Sequence, residues 1–445
     1  MTPSVKIYRN IQRCCIAGAA ALLAGCADGV VTAPPAVELT PPAVSAMNGA
    51  EQAEAATRTK PAGEPGKLTV ALLLPLSGPD AEVGQALLNA AQMALFDVGQ
   101  SQLKLIPRDT RGAPDGAARA AQSAIDGGAE LILGPLFSTS VSTVAPIARD
   151  HAITMLAFST DRSVAGDGVY ILGFVPEQQV RRVIGFARGQ GIERFAALVP
   201  DSPYGHAVLK AFGGSVLRTG AEIKAIEFYQ QNQSALFEPV KRLGNYAERR
   251  AALMAERRAL TELGEDDSLA QELLKQLAHL ETLGEPDFDA VFMPEGGALL
   301  RALAPLLPYY EIDPLKIKFL GTGLWDDPGL SLEPSLIGSW FAGPPPNSGV
   351  VLSRRFLEIF GREPPRITSL AYDAVALAAV LSRADRWDRF DHEALTNPNG
   401  FAGIDGIFRF LDNGVAERGL AVIEVTARGF VVLSPAPTTF QPAIN

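Results

Sequence analysis

The stretch AELILGPLFSTSVSTVAPIARDHAITMLAFST, residues 129–160, decides how this chain is read. Its opening run AELILG is apolar, of strand length, and closed by Gly134 and Pro135. Ser138, Thr139 and Ser140 then stand before a segment, 138–151, whose apolar residues fall at helical spacing. A second strand-like run, AITMLAFS at 152–159, follows at once. Strand, helix and strand in such quick succession predict a right-handed crossover between parallel neighbours. The junction GPLFSTS, residues 134–140, then lies at the carboxyl end of a strand, where α/β proteins hold small ligands.

The rhythm extends in both directions. Upstream, KLTVALLLPLSG (67–78) and QLKLIPRD (102–109) read as strands, each followed by a helix, at 81–99 and 114–128, that closes on glycine. Downstream, after DGVYILGFVPE (167–177), a helix at 177–190 leads into RFAALVP (194–200), a helix at 202–220, and EIKAIEFY (222–229). FDAVFMP (288–294), a helix at 296–307, and IKFLGTG (317–323) complete the second set. Two sets of βα units predict an α/β fold of two Rossmann-like lobes with parallel sheets, each covered on both faces. The tail at 406–433 alternates apolar and polar residues around DNG and reads as a hairpin and short antiparallel strands.

Residues 241–285 break this pattern. Strand formers are scarce, Tyr246, Leu253 and Leu260 recur at heptad spacing, and Leu269, Leu273, Leu277 and Leu280 mark a second stripe. Ser268 with Gln271 fits a capping box. The segment reads as a helical hairpin inserted in the second lobe, either packed on that lobe or serving as an arm for a partner.

All three cysteines fall within the first 26 residues. Lys6, Arg9 and Arg13 precede CCIAGAAALLAGC, a basic region, an apolar core and small residues, which is the pattern of an export signal. Residues 27–66, rich in Pro, Ala, Glu and Thr, lack hydrophobic periodicity and read as a disordered tether; 435–445 read as a flexible tail. A net charge of −10 argues against a nucleic-acid binder, because phosphate neutralisation needs a basic surface.

Catalytic and metal motifs are missing. The histidines, His151, His206, His279 and His392, show no H-E-x-x-H spacing, and no G-x-S-x-G elbow or Walker A loop occurs. GTGLWD at 321–326 fails as a dinucleotide fingerprint, and Asp326 with Asp327 reads as a solvated turn before a metal site. The reading is therefore a binding protein without cofactor or metal, not an enzyme. Three helix starts bearing hydroxyls, at 75–78 with Ser77, at 136–140 with Ser138 and Thr139, and at 158–163 with Ser159 and Thr160, suit a carboxylate. Amides of a helix's first turn have no partner within the helix, and the dipole is positive there.

The blocks VALLLPLSGPDAEVGQALLNAAQMAL, ILGPLFSTSVSTVAPIARDHAITMLAFST and ALVPDSPYGHAVLKAF resemble type I periplasmic binding proteins of the leucine-binding kind, and the similarity extends over 67–434. LAGC, Leu23 to Cys26, resembles the lipobox of bacterial lipoproteins, whose cysteine carries the lipid. Together with the NAAQMALFD helix and the helical insertion it makes the chain most similar to the penicillin-binding protein activators. The resemblance implies a first lobe at 67–174 and 344–402, a second at 175–343 and 403–434, and an insertion at 241–285. It implies lipidation at Cys26 and a periplasmic, lipid-anchored protein at the outer membrane. Function is then regulation of peptidoglycan synthesis through a peptidoglycan synthase, or, alternatively, delivery of branched-chain amino acids or related metabolites to an ABC transporter.

In amino-acid binders of that family, positions matching Ser138, Ser159 and Thr160 grip the ligand, and an aromatic matching Tyr204 lines the opposite wall. An acidic residue usually follows the strand matching IKFLG and pairs with the ligand ammonium; Gly323 stands there instead. A buried ammonium without a counter-charge is costly. Either Asp326 or Glu295 takes that role, or the ligand is not a free amino acid. Trp325, expected at the cleft mouth, would stack on a sugar or fill the cleft.

Overall fold

Strand β1 (Leu68–Leu74, LTVALLL) is buried along its whole length, as a strand covered on both faces must be. The computed structural model describes residues 67–99, 103–263, 267–383 and 389–441. Signal region 1–26, the lipidation position Cys26, the tether 27–66 and the last four residues of the tail lie outside them.

After β1 come α1 (Ala81–Asp97), β2 (Leu103–Asp109), α2 (Pro114–Asp126), β3 (Leu131–Leu133), α3 (Ser138–Asp150), β4 (Thr154–Ala157) and β5 (Val169–Ile171). The five strands form one parallel sheet in the order β2-β1-β3-β4-β5. Alanine-rich α2 packs with α3 on one face through Ala117, Ala121, Val141 and Val144.

The second lobe begins with α4 (Pro176–Gly189), β6 (Arg194–Pro200), α5 (Pro203–Arg218) and β7 (Glu222–Tyr229). Then come α6 (Phe237–Leu243), α7 (Tyr246–Glu262), α8 (Ser268–Leu277), β8 (Ala290–Phe292), α9 (Gly297–Leu303), α10 (Leu306–Tyr309), β9 (Lys318–Gly321) and β10 (Trp340–Gly343). The chain returns to the first lobe with α11 (Val350–Phe360), α12 (Thr368–Ser382) and α13 (His392–Leu395). Helix α11 packs on α1 through Leu352 and Phe356, and α12 buries Leu370, Ala374 and Ala378 in the core with β1 and α1.

Five short strands close the fold: β11 (Phe401–Gly403), β12 (Gly406–Phe410), β13 (Ala416–Arg418), β14 (Ala421–Thr426) and β15 (Gly429–Ser434). The second sheet runs β15-β14-β10-β9-β8-β6-β7, parallel except that β14 and β15 are antiparallel to their neighbours. Strands β11–β13 form a small antiparallel sheet whose Phe408, Phe410 and Ala416 sit in the first lobe's core. The last crossing thus falls between Arg418 and Ala421, not at residue 403 as the resemblance implied. Alternation reports that a strand has one buried face; it does not report which sheet that face meets.

Helices α7 and α8 form the hairpin expected between β7 and β8, rooted by a buried arginine. Arg249 donates to the carbonyls of Gly244 (2.9 Å) and Gly284 (3.0 Å), on either side of the hairpin, and to that of Tyr310 (3.3 Å). Arg257 ties the two helices by donating to the Leu277 and Leu280 carbonyls. Leu253 and Leu260 face inward, whereas Leu263 and Leu269 are 63% and 68% exposed. Asp267, not Ser268, caps α8: its carboxylate accepts from the amides of Leu269 and Ala270, both at 3.0 Å.

Candidate ligand cleft

Ser77 follows β1. Its hydroxyl donates to Asp109 Oδ2 at 2.6 Å, and Oδ1 accepts from the amides of Leu76 and Arg111. Burial opposes ionisation of Asp109, yet these donors together hold its carboxyl below the usual range. Ser77 is therefore committed to its own sheet edge.

Helix α3 begins at Ser138 with no side chain capping it, which leaves first-turn amides open. Ser138 is half-buried and Thr139 exposed, and neither hydroxyl donates to or accepts from another described residue. Ser140, in the same turn, is buried with its Oγ unpartnered. It carries the same local signal as its neighbours, a hydroxyl in the first turn of a helix, and nothing in the sequence marks it as the buried one. After β4, Ser159 is buried and accepts from the Asp161 amide (3.1 Å), while Thr160 stands exposed with its hydroxyl free among the described residues.

In the second lobe, Ser202 caps α5 by accepting from the Gly205 amide at 3.1 Å, with Pro203 at the first helical position. This start sets Tyr204 in the first turn, where its hydroxyl meets Thr322 Oγ1 at 3.2 Å. Burial pushes the Tyr204 hydroxyl up to about 12, so it stays a neutral hydrogen-bonding group.

The loop after β9 departs furthest from expectation. Trp325 is fully buried in the second lobe's core, not at the cleft mouth, and its indole N–H donates to the Glu295 carbonyl at 2.9 Å. A Cβ at Gly321 would lie 2.2 Å from the indole, so the ring occupies space that only glycine leaves. Gly323 presents its amide to Gln179 Oε1 at 2.8 Å, and a Cβ there would meet Gln179 Nε2 at 2.9 Å. Thus the position expected to carry an acid is packed against a glutamine.

Neither replacement acid is free. Glu295 is buried; its Oε2 accepts from the Tyr229 hydroxyl (2.8 Å) and from Gln231 (3.3 Å), and its Oε1 from the Gly296 amide. Asp326 is bound by Arg366, which comes from the first lobe between α11 and α12, at 3.1 Å. Burial raises the Asp326 carboxyl above its ordinary value despite this cation. Arg366 also contacts Asp405 at 2.6 Å, and Ser348 and Ser369 both donate to that carboxylate. A cavity of about 540 Å³ opens beside the pair, lined by Ser348, Arg354, Thr368 and Ser369 among others. Arg366, Asp405 and Gln179 were not singled out in the sequence, since nothing local marks an arginine whose partners come from distant segments. Among the described residues no three His, Cys, Asp or Glu are grouped to hold a metal, and no helix is long and apolar enough to cross a membrane.

Two covered sheets, hydroxyls and helix starts at the carboxyl ends of their strands, and a chain that crosses repeatedly between lobes define the architecture. Its fold is that of a type I periplasmic binding protein. The family model described as periplasmic binding protein matches residues 67–245. Over 82% of this chain and all of the other, the fold matches a putative branched-chain amino acid ABC transporter protein of Rhodospirillum rubrum, with a TM-score of 0.65 at 16% identity. A leucine binding protein of Thermotoga maritima MSB8 matches over 83% of this chain and 98% of its own, with a TM-score of 0.54 at 19% identity. An uncharacterized protein of Rickettsia prowazekii (strain Madrid E) is 27% identical over 183 residues, 41% of this chain and 48% of that protein. This match thus spans about half the relative's length.

Proposed function

We propose that this chain is a non-catalytic cell-envelope protein that regulates peptidoglycan synthesis by contact with a penicillin-binding protein. It is held in the periplasm by a lipid on Cys26, at the outer membrane. The observation that carries this reading is the commitment of the cleft's carboxylates: Glu295 serves Tyr229 and Gln231, and Asp326 serves Arg366. Capturing a free amino acid would leave its ammonium without a counter-charge, a cost of several kcal/mol on the order expected for a buried ion. The α7–α8 arm, with Leu263 and Leu269 exposed and its root pinned by Arg249, is the surface suited to a protein partner.

A thermal-shift screen of the purified protein against amino acids, peptidoglycan fragments and a soluble peptidoglycan synthase tests this. Stabilisation by the synthase alone is expected. Micromolar leucine binding, abolished by Thr160→Ala, would remove regulation as the primary role. Deletion of 246–277 that leaves synthase binding intact would remove the arm from it.

A second reading, a solute-binding protein of an ABC transporter for branched-chain amino acids or related metabolites, is favoured by one wall of the cleft. Ser138, Thr139 and Thr160 keep their hydroxyls unengaged among the described residues, as a carboxylate-binding wall requires. Here the ligand is best matched by a carboxylate without an amine.

A further inference from the structure

Helix α5 carries Ala207, Ala211 and Gly214 along one face, spaced so that they lie one above another. With no long side chains there, a cavity of about 690 Å³ opens between α5, α4 and the short turn at Arg162–Val164 of the first lobe. Its rim is made of Arg162 from that turn, Arg181 from α4, and Lys210 and Arg218 from α5, with Glu177 the one acidic residue lining it.

These cations differ from the paired ones on the surface. Arg194 pairs with Asp287 and Asp289, Arg242 with Glu227, Arg250 with Glu281, and Arg355 with Asp97. The side chains of Arg162, Arg181 and Lys210 make no ion pair or hydrogen bond with any described residue, and that of Arg218 donates only to the Ser215 hydroxyl at 3.1 Å. Four cations against one carboxylate around a single concavity is a local excess of positive charge in a chain whose net charge is −10. Like charges gathered about a pocket repel unless a counter-ion shares it, and low-dielectric walls focus their field inward.

We propose that this groove binds an organic anion bearing at least two phosphoryl groups, with the guanidinium groups and Lys210 on the phosphoryl oxygens and the organic part on the Ala207, Ala211 and Gly214 floor. Guanidinium forks match phosphoryl oxygens two at a time, which favours this class over a single carboxylate. The cavity exceeds what one inorganic phosphate fills, so a larger molecule uses both the charged rim and the small-residue floor. Because Arg162 belongs to the first lobe and the other cations to the second, the bound anion links the two. Arg162 lies two residues beyond Thr160 of the strand-end cleft, but neither reading of that cleft is needed for the groove.

The test uses the full chain and two sources of the same chemistry. Titration calorimetry at low salt with inorganic pyrophosphate is one arm; co-flotation with phosphatidylcholine vesicles containing cardiolipin is the other. Lys210→Gln combined with Arg218→Gln is expected to weaken the arm that binds by about tenfold, and Arg162→Gln to weaken it further. Arg242→Gln, the same change of charge at a paired arginine, is expected to alter it by less than about twofold. Binding of pyrophosphate assigns a soluble ligand, and binding of vesicles alone assigns a lipid headgroup. No binding in either arm, or binding that the Lys210 and Arg218 changes leave untouched or that Arg242→Gln weakens equally, overturns the proposal.

Discussion

The two walls at the strand ends have opposite habits. On the first lobe, Ser138 and Thr139 open α3 with hydroxyls free among the described residues, Ser140 buries an unpartnered one, and Thr160 faces solvent. On the second lobe the corresponding polar groups have partners within the protein: Tyr204 with Thr322, Gly323 with Gln179, Trp325 with the Glu295 carbonyl, Glu295 with Tyr229. A polar group already bonded in place gains little from a ligand and loses a bond to meet it. One wall leaves hydroxyls open; the other holds itself together.

That contrast is best broken at Trp325. Trp325→Ala is expected to cost about 3–5 kcal/mol, since a fully buried indole leaves a cavity over Gly321 and an unpaired Glu295 carbonyl. Urea unfolding measures it, and a loss under about 1 kcal/mol would mean the second wall is not the rigid one.

Next in size is a pH effect where the first lobe does bury charge. Asp373 of α12 accepts from the Ile404 amide, and burial pushes its carboxyl up to about 7 against the pull of Arg418. Between the ordinary carboxyl range and about pH 7 the native chain keeps a proton that the unfolded chain has released. This contribution to stability is present in acid and is lost as pH rises through that window. The melting temperature of the wild type should fall with rising pH relative to Asp373→Asn, and parallel profiles would refute the assignment.

Gly323→Asp places an acid where an ammonium would need it. Contact with Gln179 is expected to cost about 1–3 kcal/mol, and Gln179→Ala should recover most of it. Tyr204→Phe, losing only the bond to Thr322, should cost about 1 kcal/mol. The smallest change is expected across the cleft, where Ser138→Ala with Thr139→Ala shifts stability by less than about 0.5 kcal/mol, because no described residue depends on those hydroxyls. Chemical denaturation of the three variants gives the ranking directly.

Much of the first wall was legible because its signals are local. A hydroxyl followed by a helical pattern at the end of an apolar run identifies its own place, so Ser138, Thr139 and Thr160 were readable from their neighbours. The second wall was less so. Tyr204 was marked by the Ser202-Pro203 helix start, but the fate of Trp325 depends on a glycine four residues back and a carbonyl thirty residues back. Asp326 likewise owes its partner to Arg366, forty residues on and in the other lobe.

By itself, the sequence determined the alternation of strands and helices, the two lobes, the inserted hairpin between β7 and β8, and the hydroxyls at the strand ends. Periodicity and turn residues are properties of short windows, and each window carries its own signal. Only the tertiary structure decided that the tryptophan goes to the core, that both acids near Gly323 are already taken, that β11–β13 belong to the first lobe, and that four cations share one groove. Each of these depends on which distant surfaces meet, and burial and pairing are settled by that meeting rather than by the pattern along the chain.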